Sequence, residues 1–166
     1  MPDGAAGRGA PAPATESARQ GVPPGSLRHL AVLFSGAPER PLIEAIYAFE
    51  AELRRIVAAA SHEAAHARLQ WWRGEIDRLI AGRPTHPLAQ ALLPLREQPG
   101  ADAALLHEML VAADLDLARL TYATWQELEA YLFRSAGVPQ TLIAATLSSR
   151  RALQPAVAAL DERHAL

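Results

Sequence analysis

From Leu27 onward, apolar residues recur at three- and four-residue steps through most of the chain, the period of α-helices that each bury one face. Leu42, Ile46, Phe49, Leu53 and Ile56 form one such stripe. Pro41 stands just ahead of it, where the first helical turn has no use for an N–H, and Glu50 precedes Arg54 by the four residues that let the pair support the outer face. Leu69, Trp72, Ile76 and Leu79 form a second stripe, opened by Ser61 as N-cap and closed by Gly82 and Pro84. A third helix is expected over 102–120, with Leu106, Met109, Ala113, Leu117 and Leu120 on one side. Thr124 and Glu127 have the spacing of a capping box. They open a helix expected to end at Gly137, with Pro139 beyond it.

Shorter pieces complete the pattern. Leu27 to Phe34 is closed by Ser35-Gly36, and a segment from His86 to about Arg96 stops before Pro99-Gly100. The Ala- and Leu-rich stretch to Leu166 has Pro155 to start or kink a last helix. Residues 1–25, rich in Gly, Pro, Ala and Ser without apolar period, are expected to form a disordered leader, and 26–166 the folded domain. The prediction is six or seven helices and no strand, an all-α helical bundle.

Composition agrees with it. The apolar half of the 166 residues is mostly Ala and Leu, strong helix formers, with 5% aromatics. A net charge of −2 gives no electrostatic reason to expect nucleic acid. With no cysteine, disulfides and thiolate metal sites are excluded, and with every basic side chain an arginine, so is lysine nucleophile chemistry. No apolar run approaches the ~20 residues of a transmembrane helix, and the N-terminus lacks a secretory signal pattern. The expected location is the cytoplasm, with contact to a membrane, if any, peripheral.

Three segments carry a family likeness. Ala45-Ile46-Tyr47-Ala48-Phe49, then Arg68-Leu69-Gln70-Trp71-Trp72-Arg73, then Tyr131-Leu132-Phe133-Arg134-Ser135-Ala136-Gly137 resemble, in order and spacing, segments of squalene and phytoene synthases. The likeness spans about Leu27 to Ala145 and implies the first half of the isoprenoid synthase fold. It implies an all-α prenyl transferase ancestry, a reaction joining two isoprenyl diphosphates, and Mg²⁺ held between carboxylates and diphosphate oxygens. It also makes Tyr47, Phe49, Trp72, Tyr131 and Gly137 candidates for a substrate or lipid pocket, set against ordinary core packing, which aromatics at helical spacing usually serve.

The acidic motifs depart from that pattern. Counted from Tyr47, the positions of the first aspartate motif hold Arg54, Arg55 and Ala58. Pairs such as Glu50/Glu52, Glu75/Asp77, Asp114/Asp116 and Glu127/Glu129 are two apart and diverge on a helix, whereas a metal clamp needs carboxylates three or four apart. The second motif is expected beyond Ala145 and does not occur before Leu166. The expectation is a catalytically inactive relative with no metal and no cofactor. Arg54 and Arg55 are candidates for direct contact with diphosphate, against the reading of a salt-bridged helix face.

His62-Glu63-Ala64-Ala65-His66 is a literal H-E-x-x-H, which on a helix presents two imidazoles to zinc with the glutamate as base. Arg68 follows closely, no motif supplies a third ligand, and framing strands are absent, so a zinc metalloprotease is the lesser alternative. Asp114 and Asp116 are candidates to bond the arginine helix or, equally, to lie on an exposed face, and one of Trp71 and Trp72 is expected at a partner surface or helix contact.

Three functions remain open. One is a helical interaction or assembly protein that meets a protein partner or a second copy through exposed apolar faces. Another is an isoprenoid- or lipid-binding remnant. The last is a weak prenyl transferase.

Overall fold

A computed structural model of the chain describes residues 21–148. Most of the expected leader and the helix expected near Pro155 lie outside the described residues. The helices are α1 (Leu27–Phe34), α2 (Arg40–Val57), α3 (His62–Ile80), α4 (Pro87–Leu92), α5 (Leu105–Leu117) and α6 (Trp125–Leu132). A 3₁₀ turn (Leu93–Glu97) follows α4, and a π turn (Phe133–Gly137) carries α6 onward into a further helical stretch, α7, over 138–148. No strand occurs among the described residues, and no helix is long and apolar enough to cross a membrane.

Local chemistry sets most boundaries as expected. Ser61 Oγ accepts from the Ala64 N–H at the start of α3, and Thr124 and Glu127 complete both halves of the capping box on α6. Gly82, at φ +79°, ends α3, where its N–H and that of Arg83 satisfy the Leu79 and Arg78 carbonyls. Left-handed backbone of this kind favours glycine because any Cβ would crowd the carbonyl.

Three boundaries differ. The helix expected over 102–120 is shorter: Asp102 Oδ1 accepts from the Ala104 N–H in a turn before α5. At the other end, Arg119 takes φ +51°, so the chain reverses and Leu120 is 53% exposed rather than part of the stripe. Gly137 does not end a helix. A fourth turn of α type through Pro139 would press the pyrrolidine ring on the Ser135 carbonyl; the widened π turn removes that conflict, and helix continues through Val138.

Helix α2 is the central element, packed on α3, α4 and α5, while α3 and α5 pack against each other. The stripes foreseen on α2 and α3 all point inward: Ile46, Phe49, Ile56, Leu69, Ile76 and Leu79 have essentially no exposed surface. Full burial of such a side chain contributes ~2 kcal/mol. Val22 also reaches the core, so packed chain begins ahead of Leu27.

Candidate functional site

One edge of the bundle, between α2, α5 and the end of α6 with its π turn, is not filled by side chains. The result is a cavity of about 280 Å³. Leu53, Val57, Ala58, Met109, Ala112 and Ala113 make its apolar wall, and the polar groups are Glu50, Arg54, Asp116, Tyr131 and Ser135. The alanines create the space. Two helices of ordinary separation leave a void where facing residues are small.

Its polar groups are largely bonded to one another. Glu50 Oε1 receives Arg28 at 2.7 Å and lies 3.4 Å from Arg54. On the opposite wall the Tyr131 hydroxyl donates to Asp116 Oδ1 at 2.7 Å, and Tyr131 stacks on Tyr122 with ring centroids 5.1 Å apart. The hydrogen bond to Asp116, reinforced by burial and by the carboxylate charge, outweighs a contrary bond from Ser135 and pushes the Tyr131 hydroxyl up to about 12. Tyr131 is therefore a fixed proton donor at neutral pH.

The register counted from Tyr47 has a geometric counterpart: Arg54 and Ala58 face the cavity one turn apart, whereas Arg55 does not line it. Arg55 turns to the α2–α3 seam, where it and Arg68 hold the buried Glu52, Arg68 at 3.1 Å.

Of the pocket candidates, Tyr131 alone reaches this cavity. Tyr47 is buried, with the Arg28 guanidinium 4.9 Å over its ring, and Phe49 meets Trp72 edge to face at 5.1 Å inside the core. Trp72 is buried while Trp71 is 46% exposed, as expected of neighbours on different faces. Gly137 packs on Phe133. The tyrosine and aromatic segments thus build the scaffold behind the cavity. Of the two readings open for these aspartates, Asp114 takes the bond to Arg73 of the arginine helix, whereas Asp116 bonds Tyr131. The cavity-facing roles of Glu50, Asp116 and Ser135 went unread. The signal was the i, i+4, i+7 row Met109, Ala113, Asp116, which puts a carboxylate on a small-residue face.

His62 and His66 stand stacked on the first turns of α3 with centroids 6.5 Å apart, and His66 Nδ1 is 4.0 Å from Asp114 Oδ1. Asp114 is already the partner of Arg73. Among the described residues no group of three His, Cys, Asp or Glu is placed to hold a metal ion.

A second carboxylate does purely structural work. Glu75, fully buried on α3, accepts from the Thr85 and His86 N–H groups, both at 2.6 Å, from the Thr85 hydroxyl and from Arg78 Nε at 2.7 Å. Burial raises its pKa, but these donors outweigh burial and hold it below the ordinary value. They pin the chain leaving α3 to the start of α4.

Compared with known proteins, residues 24–164 match the family model described as squalene/phytoene synthase. No curated protein and no solved structure matches the chain.

Proposed function

The chain belongs to the squalene/phytoene synthase family, and from that premise we propose that it is a non-catalytic member, a pseudoenzyme whose helical scaffold serves contact with another protein or a second copy. The observation that carries this reading is the presence of Arg54 and Ala58 on the cavity wall, at the positions where the resemblance expects metal-binding aspartates. A guanidinium repels a divalent cation, and an alanine offers no oxygen. Mg²⁺ needs oxygen ligands in an octahedral array, and the carboxylates that do face the cavity are engaged, Glu50 with Arg28 and Arg54, Asp116 with Tyr131. These residues do not fit the metal. Loss of one preorganised electrostatic group commonly costs ~3 kcal/mol of transition-state stabilisation.

The interaction role is supported by apolar side chains left in solvent. On α1, Leu27 is 86% and Phe34 89% exposed, with Leu30 on the same face, and Trp125 at the start of α6 is 73% exposed. Contiguous exposed apolar patches tend to mark contact surfaces.

Incubation of the full chain with isoprenyl diphosphate and Mg²⁺ tests the first half of the proposal: no product is expected, and turnover would overturn it. Sedimentation over a range of concentrations tests the second half, with self-association expected to weaken in Phe34→Ser.

A second reading, storage or transfer of an isoprenoid lipid in the cytoplasm or at a membrane surface, is favoured by one observation, the apolar wall of the cavity.

A further inference from the structure

We infer that the chain pairs with a second copy of itself about a two-fold axis, the exposed face of α1 in one copy lying on the exposed face of α6 in the other, and the reverse. This rests on the interaction reading and narrows it to one partner and one arrangement.

Both helices are fully formed but under-packed. Helix α6 has a complete capping box, yet it buries none of its 8 residues, and α1 buries Val32 alone. Helices this short are marginal on their own, so an apolar side left in water calls for a covering contact. On α1 that side is Leu27, Leu30, Leu33 and Phe34; on α6 and the π turn it is Trp125, Leu132 and Phe133. Aromatics carry ~150–250 Å² each, and with the four leucines they offer on the order of 800 Å² per copy, the share each partner gives to a standard interface. Either face alone is no larger than the patch of about 300–600 Å² that an ordinary monomer exposes. The two reach interface size only when used together.

Charge decides how they are used. Helix α1 has Arg28 and His29 and no acid, while α6 has Glu127 and Glu129 and no base. Pairing α1 on α1, or α6 on α6, sets like charges against each other; α1 on α6 sets unlike ones together. Arg40 donates to the Leu33 carbonyl at 2.7 Å and to the Ser35 carbonyl at 3.1 Å, which holds its guanidinium beside Phe34 with no carboxylate partner among the described residues. The neighbouring Glu39 turns one carboxylate oxygen inward. On α6, the exposed Glu129 stands in a row with Trp125 and Leu132 at i, i+4 and i+7, and among the described residues it has no cation partner. Arg40 of one copy and Glu129 of the other are therefore the pair that sets the register. The two-fold arrangement follows from where the helices lie. Leu27 and Arg28 of α1 meet Arg54 at the cavity, and Tyr131 of α6 stands on the opposite wall. Both faces thus flank one edge of the bundle, and an axis there makes both contacts at once.

Sedimentation equilibrium of the full chain tests the arrangement. A monomer–dimer equilibrium is expected, with no larger species. Arg40→Glu and Glu129→Arg are each expected to weaken it tenfold or more, since a two-fold contact meets each change twice. An equal mixture of the two variants is expected to recover wild-type association, because the mixed dimer has opposite charges at both pairs. Arg83→Glu, an exposed reversal on neither face, is expected to leave association unchanged. Circular dichroism checks that Arg40→Glu keeps α1; if it does not, Glu129→Arg and Trp125→Ala carry the test, each with a tenfold loss. A monomer at every concentration, a species larger than two copies, a dimer indifferent to the changes on both faces, or a mixture as weak as either variant would each overturn the inference. A dimer indifferent to these changes leaves the interaction reading standing, a strict monomer leaves it only a different protein as partner, and neither bears on the pseudoenzyme reading, which product formation alone would end.

Discussion

Helix α2 has two working faces, and they differ in what a substitution there can change. Toward α3 it presents Phe49, Glu52 and Ile56, all buried, with Phe49 locked against Trp72 and Glu52 held by Arg55 and Arg68. Toward α5 and α6 it presents Glu50, Arg54, Val57 and Ala58 around open space. The first face is close-packed, so its residues are constrained by volume and by the cost of stranding a charge. The second is constrained only by what the cavity is for. A chain can therefore keep the packing segments of its family while the chemistry of the cavity changes, because the two sets of positions alternate along one helix.

The contrast is sharpest for Phe49→Ala. It should cost ~3–5 kcal/mol, the range for removing a large aromatic from a packed interior, read from denaturant unfolding. Arg54→Ala on the other face should stay within ~0.5 kcal/mol, as for exposed substitutions generally. Comparable losses for both would erase the distinction.

Next in size is Glu75→Gln, expected to destabilise by ~3 kcal/mol because the buried donors around it lose a charged acceptor. The pH dependence has a definite sign. Since the folded-state pKa of Glu75 is held below its ordinary 4.5, its contribution is fully present above that value and is lost as pH falls through the lower folded pKa. Wild type should lose stability on acidification in that window more steeply than Glu75→Gln. Parallel curves would show that the donors do not stabilise the charge.

Arg119→Gly works in the opposite direction. Relief of a non-glycine residue at φ +51° should stabilise by ~1 kcal/mol, seen as a rise in melting temperature. The smallest effect on folding is expected from Phe34→Ser, within ~0.5 kcal/mol, since the side chain is 89% exposed; its consequence belongs to association, not to the fold.

The scaffold was legible in the sequence because helical burial leaves a period. Leu42, Ile46, Phe49 and the Leu69–Leu79 stripe are all buried as the spacing requires, and Ser61, Thr124, Glu127 and Gly82 perform the capping their types suggest. Two boundaries escaped because the deciding event is not encoded as a usual signal: an arginine takes the left-handed position at 119, and a π turn lets Pro139 sit inside continuing helix. The cavity was less legible for a different reason. Aromatic residues draw attention as pocket linings, yet Tyr47, Phe49 and Trp72 went to the interior, and the space itself comes from Ala58, Ala112 and Ala113, which look unremarkable in a helix-rich composition. Asp116 and Tyr131 are distant in sequence, and only the packing of the π turn that follows α6 against α5 brings them to 2.7 Å.

The most direct test asks whether a divalent ion can be held on the α2 face where Arg54 and Ala58 stand. Mn²⁺, an oxygen-seeking stand-in for Mg²⁺, can be titrated into the full chain with isoprenyl diphosphate present while paramagnetic resonance follows the free ion. The expected result is that the chain leaves the free Mn²⁺ signal at the level set by the diphosphate alone. Stoichiometric loss of that signal, abolished by Glu50→Gln or Asp116→Asn, would mean that the cavity clamps a metal after all and would contradict the non-catalytic assignment.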